Sequence, residues 1–313
     1  MISFLNFALT YGLTKCVKTM LVGTAFMAVI YGAVKVNRGR AALIDYYALL
    51  LLPLALFSGM SKLFYTRGLA WVSLFLNKYC TLFLGRLYFG AALCLLLVWA
   101  VKNRSVCRHA HGLPAYENRV LAERVKAQVC ARDVTGLGAW YLRRVRIYVT
   151  QEEISPCCGG LLHPYVVLPE CVCRWQERSL EAVLCHELIH IRMGHIFVMA
   201  LYRFLGCLWW VHPLFYVCEK RLHEVMEQVC DERVLMLMDV KRDAYGELLL
   251  GLALVLRGSV PTGSAAFFGR SDFQVLCARL SALKRQGLCG QGRRRVTGGF
   301  FAVTALLFLL LAM

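Results

Sequence analysis

Two kinds of pattern alternate along this chain, long unbroken apolar runs and shorter amphipathic ones. Residues 13–34, 43–60 and 81–101 are apolar over lengths that suit membrane-crossing helices, and a shorter run closes the chain at 298–313. Lys15 and Lys18 lie where long side chains can snorkel to an interface, and Trp71 and Tyr79 are placed as interfacial anchors between the second and third runs. Pro53 is expected to bend the second run.

From residue 102 the pattern changes. Residues 116–130 carry Val120, Leu121, Val125 and Val129 at helical spacing, which predicts an amphipathic helix. RVRIYVT at 146–152 alternates as a strand does. LLHPYVVL at 161–168 reads as a second strand, interrupted near Pro164 and therefore suited to a sheet edge. Residues 175–195 form the central helix, with Leu180, Val183, Leu184, Leu188 and Ile191 on its apolar faces and Gly194 near its end. The almost wholly apolar 196–218 is broken by Gly206 and Pro213, which favours a re-entrant or interfacial segment over a further crossing. Helices are expected again at 219–237, 242–257 and 271–285, the last two separated by a loose Gly/Pro/Ser stretch.

Composition sharpens this reading. A hydrophobic fraction of 59 % and a mean hydropathy of +0.56 mark an integral membrane protein. The net charge of +17 belongs to positive loops against an anionic cytoplasmic face rather than to nucleic-acid binding, because basic and aromatic residues do not interleave. Ten basic residues lie between Lys102 and Arg146, opposed only by Glu117, Glu123 and Asp133, which places 102–297 in the cytoplasm and the N-terminus outside. Three domains follow: 1–101 with three membrane helices, 102–297 cytoplasmic with the membrane-associated segment 196–218, and 298–313 as a last membrane helix. The 15 cysteines are odd in number and partly within apolar runs, which argues for a reduced compartment over a disulfide framework.

The candidate chemistry lies in CHELIHIRMGH, 185–195. His186 and His190 are four residues apart and share a helix face, as two zinc ligands must, and Glu187 is placed to act on water beside them. A catalytic zinc site needs a third protein ligand and an open position. His195, His212, His223, Glu219, Glu224, Glu227 and Asp231 are the candidates. His195 stands five residues after His190 rather than the six of a three-histidine site, so a carboxylate from a following helix is favoured. EQVCD offers Glu227, with Asp231 one turn on to orient a ligand histidine.

HELIH, WWVHPLFY and EQVCD, in this order and flanked by apolar runs, resemble the M56 metallopeptidases, the protease part of the beta-lactam-sensing signal transducers. SPCCGGLLHPYVVLPE, 155–170, is similar to the family's segment entering its edge strand. The resemblance implies a cell-membrane, multi-pass α-helical protein with a mainly helical (α+β) gluzincin-type domain bearing a small β-sheet and facing the cytoplasm. It implies one catalytic zinc ion held by His186, His190 and Glu227, with Glu187 as general base and Asp231 in support. His212, where the family usually has asparagine, is a candidate oxyanion donor or substrate contact. The implied reaction is cleavage of a cytoplasmic or membrane-proximal protein, a transcriptional repressor or the chain itself. The transducers continue into an extracellular sensor domain that this sequence lacks, so a separate sensor protein or self-association is expected. The alternative is a non-proteolytic signalling or scaffold protein that retains the fold.

Overall fold

Residues 119–130 become helical because Leu121, Ala122, Val125 and Val129 fall on one buried face, and the Asn118 side chain caps the start by accepting from the Leu121 N–H at 3.0 Å. Val120, grouped with that face by spacing, is exposed instead. The same logic recurs along the chain in a computed structural model, which describes residues 24, 27–32, 34–35, 42–50, 78–131, 141–152, 154–257 and 270–286. Its elements are α1 (Ala42–Leu50), α2 (Lys78–His111), α3 (Arg119–Cys130), β1 (Arg146–Thr150), β2 (Cys157–Gly159), β3 (Tyr165–Pro169) and α4 (Glu170–Cys173). They continue with α5 (Glu177–Arg192), α6 (His195–Leu208), α7 (Pro213–Met238), α8 (Arg242–Arg257) and α9 (Arg270–Gln286). The described part is thus mainly helical with one small mixed sheet.

Two units divide the chain. The first holds 1–101, 201–223 and 289–313. In it the Tyr202 hydroxyl donates to the Leu49 carbonyl, and its ring stacks on Phe215 with centroids 5.4 Å apart. Tyr88 lies against Trp210 and donates to the Leu208 carbonyl. Within α2 the stretch Phe83–His111 contains a run long and apolar enough to cross a membrane. Phe83, Leu87, Leu93, Leu97 and Val101 on it are exposed, an apolar surface that suits lipid and supports membrane association. The third expected span, 81–101, lies inside this helix. The parts of 13–34 and 43–60 that are described are helical, and their remainder, with 298–313, lies outside the described residues.

The second unit holds 102–200 and 224–288. Its core joins α3, α5, α7, α8 and α9 through Leu121, Leu184, Leu188, Val234, Leu249 and Leu283, with Val166 and Leu168 of the sheet against them. The strand order is β1-β3-β2, with β1 parallel and β2 antiparallel to β3. Here the expectation of an edge strand at 161–168 is corrected. The strand begins after Pro164, all five of its residues are buried, and it has a partner on each side. Pro164 interrupts nothing, because it ends the preceding turn. The outer strand beside α5 is β2, too short and cysteine-rich to announce itself by alternation. Gly160, at φ +82°, turns the chain out of β2; a Cβ there would lie 2.1 Å from the His163 carbonyl oxygen.

Gly194 at φ +70° ends the central helix, and α6 leaves α5 at 56°. The chain breaks at Trp209–His212, just before Pro213 and between α6 and α7, whereas Gly206, expected to break the run, lies within α6.

Candidate metal centre

The two histidines of HELIH meet because α5 is regular: with 3.6 residues per turn, positions four apart stack on one face. Their rings lie 4.9 Å apart and their Nε2 atoms 3.2 Å apart. From α7, Glu227 closes the triangle, with Oε2 3.3 Å from His186 Nε2 and Oε1 3.2 Å from His190 Nε2. These three side chains form a cluster able to hold a metal ion. The edges of a tetrahedron with donors about 2.0–2.1 Å from its centre are about 3.3–3.4 Å, the geometry of zinc with imidazole and carboxylate donors. Donor set and spacing both fit zinc.

A second layer of groups holds the triangle. Asp231, one turn after Glu227, brings Oδ1 to 3.3 Å from His186 Nδ1. The Tyr245 hydroxyl donates to the same oxygen at 2.8 Å. Arg279 donates to Asp231 through Nε at 2.8 Å and Nη2 at 2.6 Å, and its Nη1 lies 3.1 Å from Glu227 Oε2. All of these side chains are buried or nearly so.

Burial alone would raise the carboxyl pKa values. The charges of His190 and Arg279 outweigh it at Glu227, and Arg279 with His186 outweighs it at Asp231, so both stay below the ordinary range. For His186, burial and Arg279 oppose protonation, but hydrogen bonds to Asp231 and Glu227 prevail and lift it to about 9. Burial, with the neighbouring Asp231 charge, pushes the Tyr245 phenol up, so it stays a donor.

Sequence spacing missed Arg279 and Tyr245, yet a signal was present. Arg279 stands three after Leu276 and four before Leu283, on the apolar face of its helix; Tyr245 shares such a face with Leu249. A charged residue on an apolar face needs a buried partner.

Glu187 is buried beside His186, and Cys158 of β2 lies near enough that burial and the Glu187 charge push its thiol pKa up. The Glu187 side of α5 and the edge strand therefore adjoin. His195 is not in the triangle with Glu227. Its Nδ1 lies 3.0 Å from His190 Nδ1, on the far side of that ring, and Cys230 Sγ is 3.6 Å away. His212 belongs to the other unit. There its Nε2 is 2.8 Å from Thr24 Oγ1, and its Nδ1 accepts from the Phe215 N–H at 3.2 Å, capping α7. Glu219, also in that unit, pairs with Arg203 at 2.9 Å.

The family model described as BlaR1 peptidase M56 matches residues 82–283. The methicillin resistance mecR1 protein of Staphylococcus aureus is 25 % identical over 170 residues, 53 % of this chain and 27 % of that protein. The regulatory protein BlaR1 of Bacillus licheniformis is 28 % identical over 118 residues, 37 % of this chain and 20 % of that protein. The matched part thus spans about a quarter or less of these curated relatives. The match takes in α3 to α8 whole, with the sheet, the metal cluster and Arg279, and with that cluster it supports metallopeptidase activity. A family match over most of the chain, whose range takes in the buried donors that the geometry brings together, means that this chain belongs to the M56 peptidase family.

Proposed function

We propose that the chain is a zinc-dependent endopeptidase of the cell membrane that cuts a cytoplasmic or membrane-proximal protein during signal transduction. The observation that carries this reading is the triangle of His186, His190 and Glu227 donors at 3.2–3.3 Å, with Glu187 on the same helix turn. When bound, zinc supplies Lewis acidity toward a peptide carbonyl and toward water. Glu187 accepts the proton of the attacking water and delivers it to the leaving amine. Asp231 holds His186 by its Nδ1, while Arg279 fixes both carboxylates in place. An extended substrate adds to the β2 edge, whose backbone supplies hydrogen bonds next to Glu187.

The protein is multi-pass, with 1–101 and 298–313 in the bilayer and the catalytic part of 102–297 in the cytoplasm. The apolar exposed face of α2 and the basic residues that follow it support this topology. Segment 196–218 is membrane-associated; most of it groups with the N-terminal unit. A transcriptional repressor is the substrate class we propose. The relatives' names, a methicillin resistance protein and a regulatory protein, support a place in signalling.

The test compares full-length wild type with Glu187→Ala and Glu227→Ala. Each is co-expressed with a small DNA-binding repressor and assayed in detergent on casein. Cleavage is lost in both variants, whereas zinc is retained in Glu187→Ala and lost from Glu227→Ala. Equal zinc content in wild type and Glu227→Ala would sink the ligand assignment, and undiminished cleavage by Glu187→Ala would sink the role of the base.

A further inference from the structure

We infer that His195 is a positioning residue for the metal site, accepting a hydrogen bond from His190 Nδ1–H and so aiming His190 Nε2 at Glu227 and His186. The inference rests on the zinc reading above and adds to it a residue that spacing had set aside.

A neutral imidazole that offers Nε2 to a metal carries its proton on Nδ1. His190 presents Nε2 to the triangle, 3.2 Å from both His186 Nε2 and Glu227 Oε1, so its Nδ1–H points the other way. His195 Nδ1 lies 3.0 Å off on that side, with the two rings near perpendicular at 78°. Two N–H groups cannot face each other, so His195 Nδ1 is the acceptor and the His195 proton sits on Nε2. The Cys230 thiol at 3.6 Å, a weak donor, faces the same lone pair.

Backbone geometry makes the contact. On an unbroken helix a residue five positions on would be rotated by about 140° from His190 and would face elsewhere. Gly194 at φ +70° ends α5, and α6 departs at 56°, which brings His195 back beneath the ring. The side chain is 2 % exposed, so the bond forms away from competing water. His190, His195 and Cys230 also stand close enough to hold a metal of their own. That arrangement would need a metal on both nitrogens of His190, which a neutral ring cannot provide.

Full-length protein in detergent tests this with zinc affinity by chelator competition and with the visible spectrum of the Co2+-loaded protein. Asparagine places Oδ1 on Cγ where histidine has Nδ1, so His195→Asn keeps an acceptor; His195→Leu puts a methyl group there. The expected result is zinc affinity within about threefold of wild type for His195→Asn, and a loss of about 10–100-fold with an altered Co2+ spectrum for His195→Leu. Wild-type affinity and spectrum in His195→Leu would overturn the inference. So would equal losses in both variants, or two zinc ions per wild-type chain. A Glu227→Gln arm separates the two readings: if it binds zinc as wild type does, the ligand set is wrong, whatever His195 does.

Discussion

Replacing Arg279 with methionine keeps much of the side-chain length and removes a permanent cation that touches both Glu227 and Asp231. In wild type it makes two hydrogen bonds to Asp231, at 2.6 and 2.8 Å, and approaches Glu227 to 3.1 Å. Asp231 is 1 % exposed, so in the variant its charge stays buried. Removing one partner of a buried ion pair costs about 3–5 kcal/mol, because the other is left uncompensated. Two donors remain to Asp231, the Tyr245 hydroxyl at 2.8 Å and His186 Nδ1 at 3.3 Å, which puts the expected loss near the lower end, about 3 kcal/mol. In a unit of this size that corresponds to a fall in melting temperature of roughly 6–12 °C. The assay is thermal unfolding of the metal-free protein in detergent, followed by circular dichroism. Adding Asp231→Asn to Arg279→Met removes the orphaned charge and is expected to recover at least half of the loss. A single variant that melts within about 2 °C of wild type would refute the reasoning. So would a double variant no more stable than the single one.

Zinc binding is expected to depend on pH through His186, whose pKa in the metal-free protein is lifted to about 9. The folded value lies above the ordinary 6.5, so the charged form stabilises the metal-free fold fully below pH 6.5, and that contribution disappears as pH rises through 9. Metal must displace this proton, so zinc affinity should rise by roughly tenfold per pH unit between 7 and 9 and then level off; a flat profile in chelator competition would refute this. Gly160→Ala should disturb the β2 edge, since its Cβ would meet the His163 carbonyl oxygen at 2.1 Å and its φ is +82°. A loss of about 2 kcal/mol, with faster hydrogen exchange across 157–159 and reduced casein cleavage, is expected. Unchanged exchange in that strand would count against β2 being held by this turn.

Residues 242–257 illustrate what a local pattern carries, because the helix predicted there has the bounds observed. The catalytic helix was legible for the same reason: Leu180, Val183, Leu184, Leu188 and Ile191 are all buried. Helical spacing also put His186 and His190 on one face before any tertiary contact was considered. β2 was not legible, since three residues carry no alternation that can be distinguished from a loop. Pro164 misdirected the reading of its neighbour: a proline within an apolar run suggests an edge, whereas here it only precedes a central strand.

The sequence by itself determined α3, α5, α8 and α9 with most of their buried faces, the pair of histidines and the carboxylates one turn apart on α7. These depend on periodicity within a single element, which short stretches of chain carry in full. Tertiary structure alone decided the rest: Arg279 and Tyr245 reach Asp231 from two later helices, and β2 adjoins Glu187. It also decided that His212 caps a helix in the first unit and that His195 returns to His190 across a bend at Gly194. Such contacts arise from how helices pack and where the backbone breaks direction, and spacing along the chain does not encode the angle at which two elements meet.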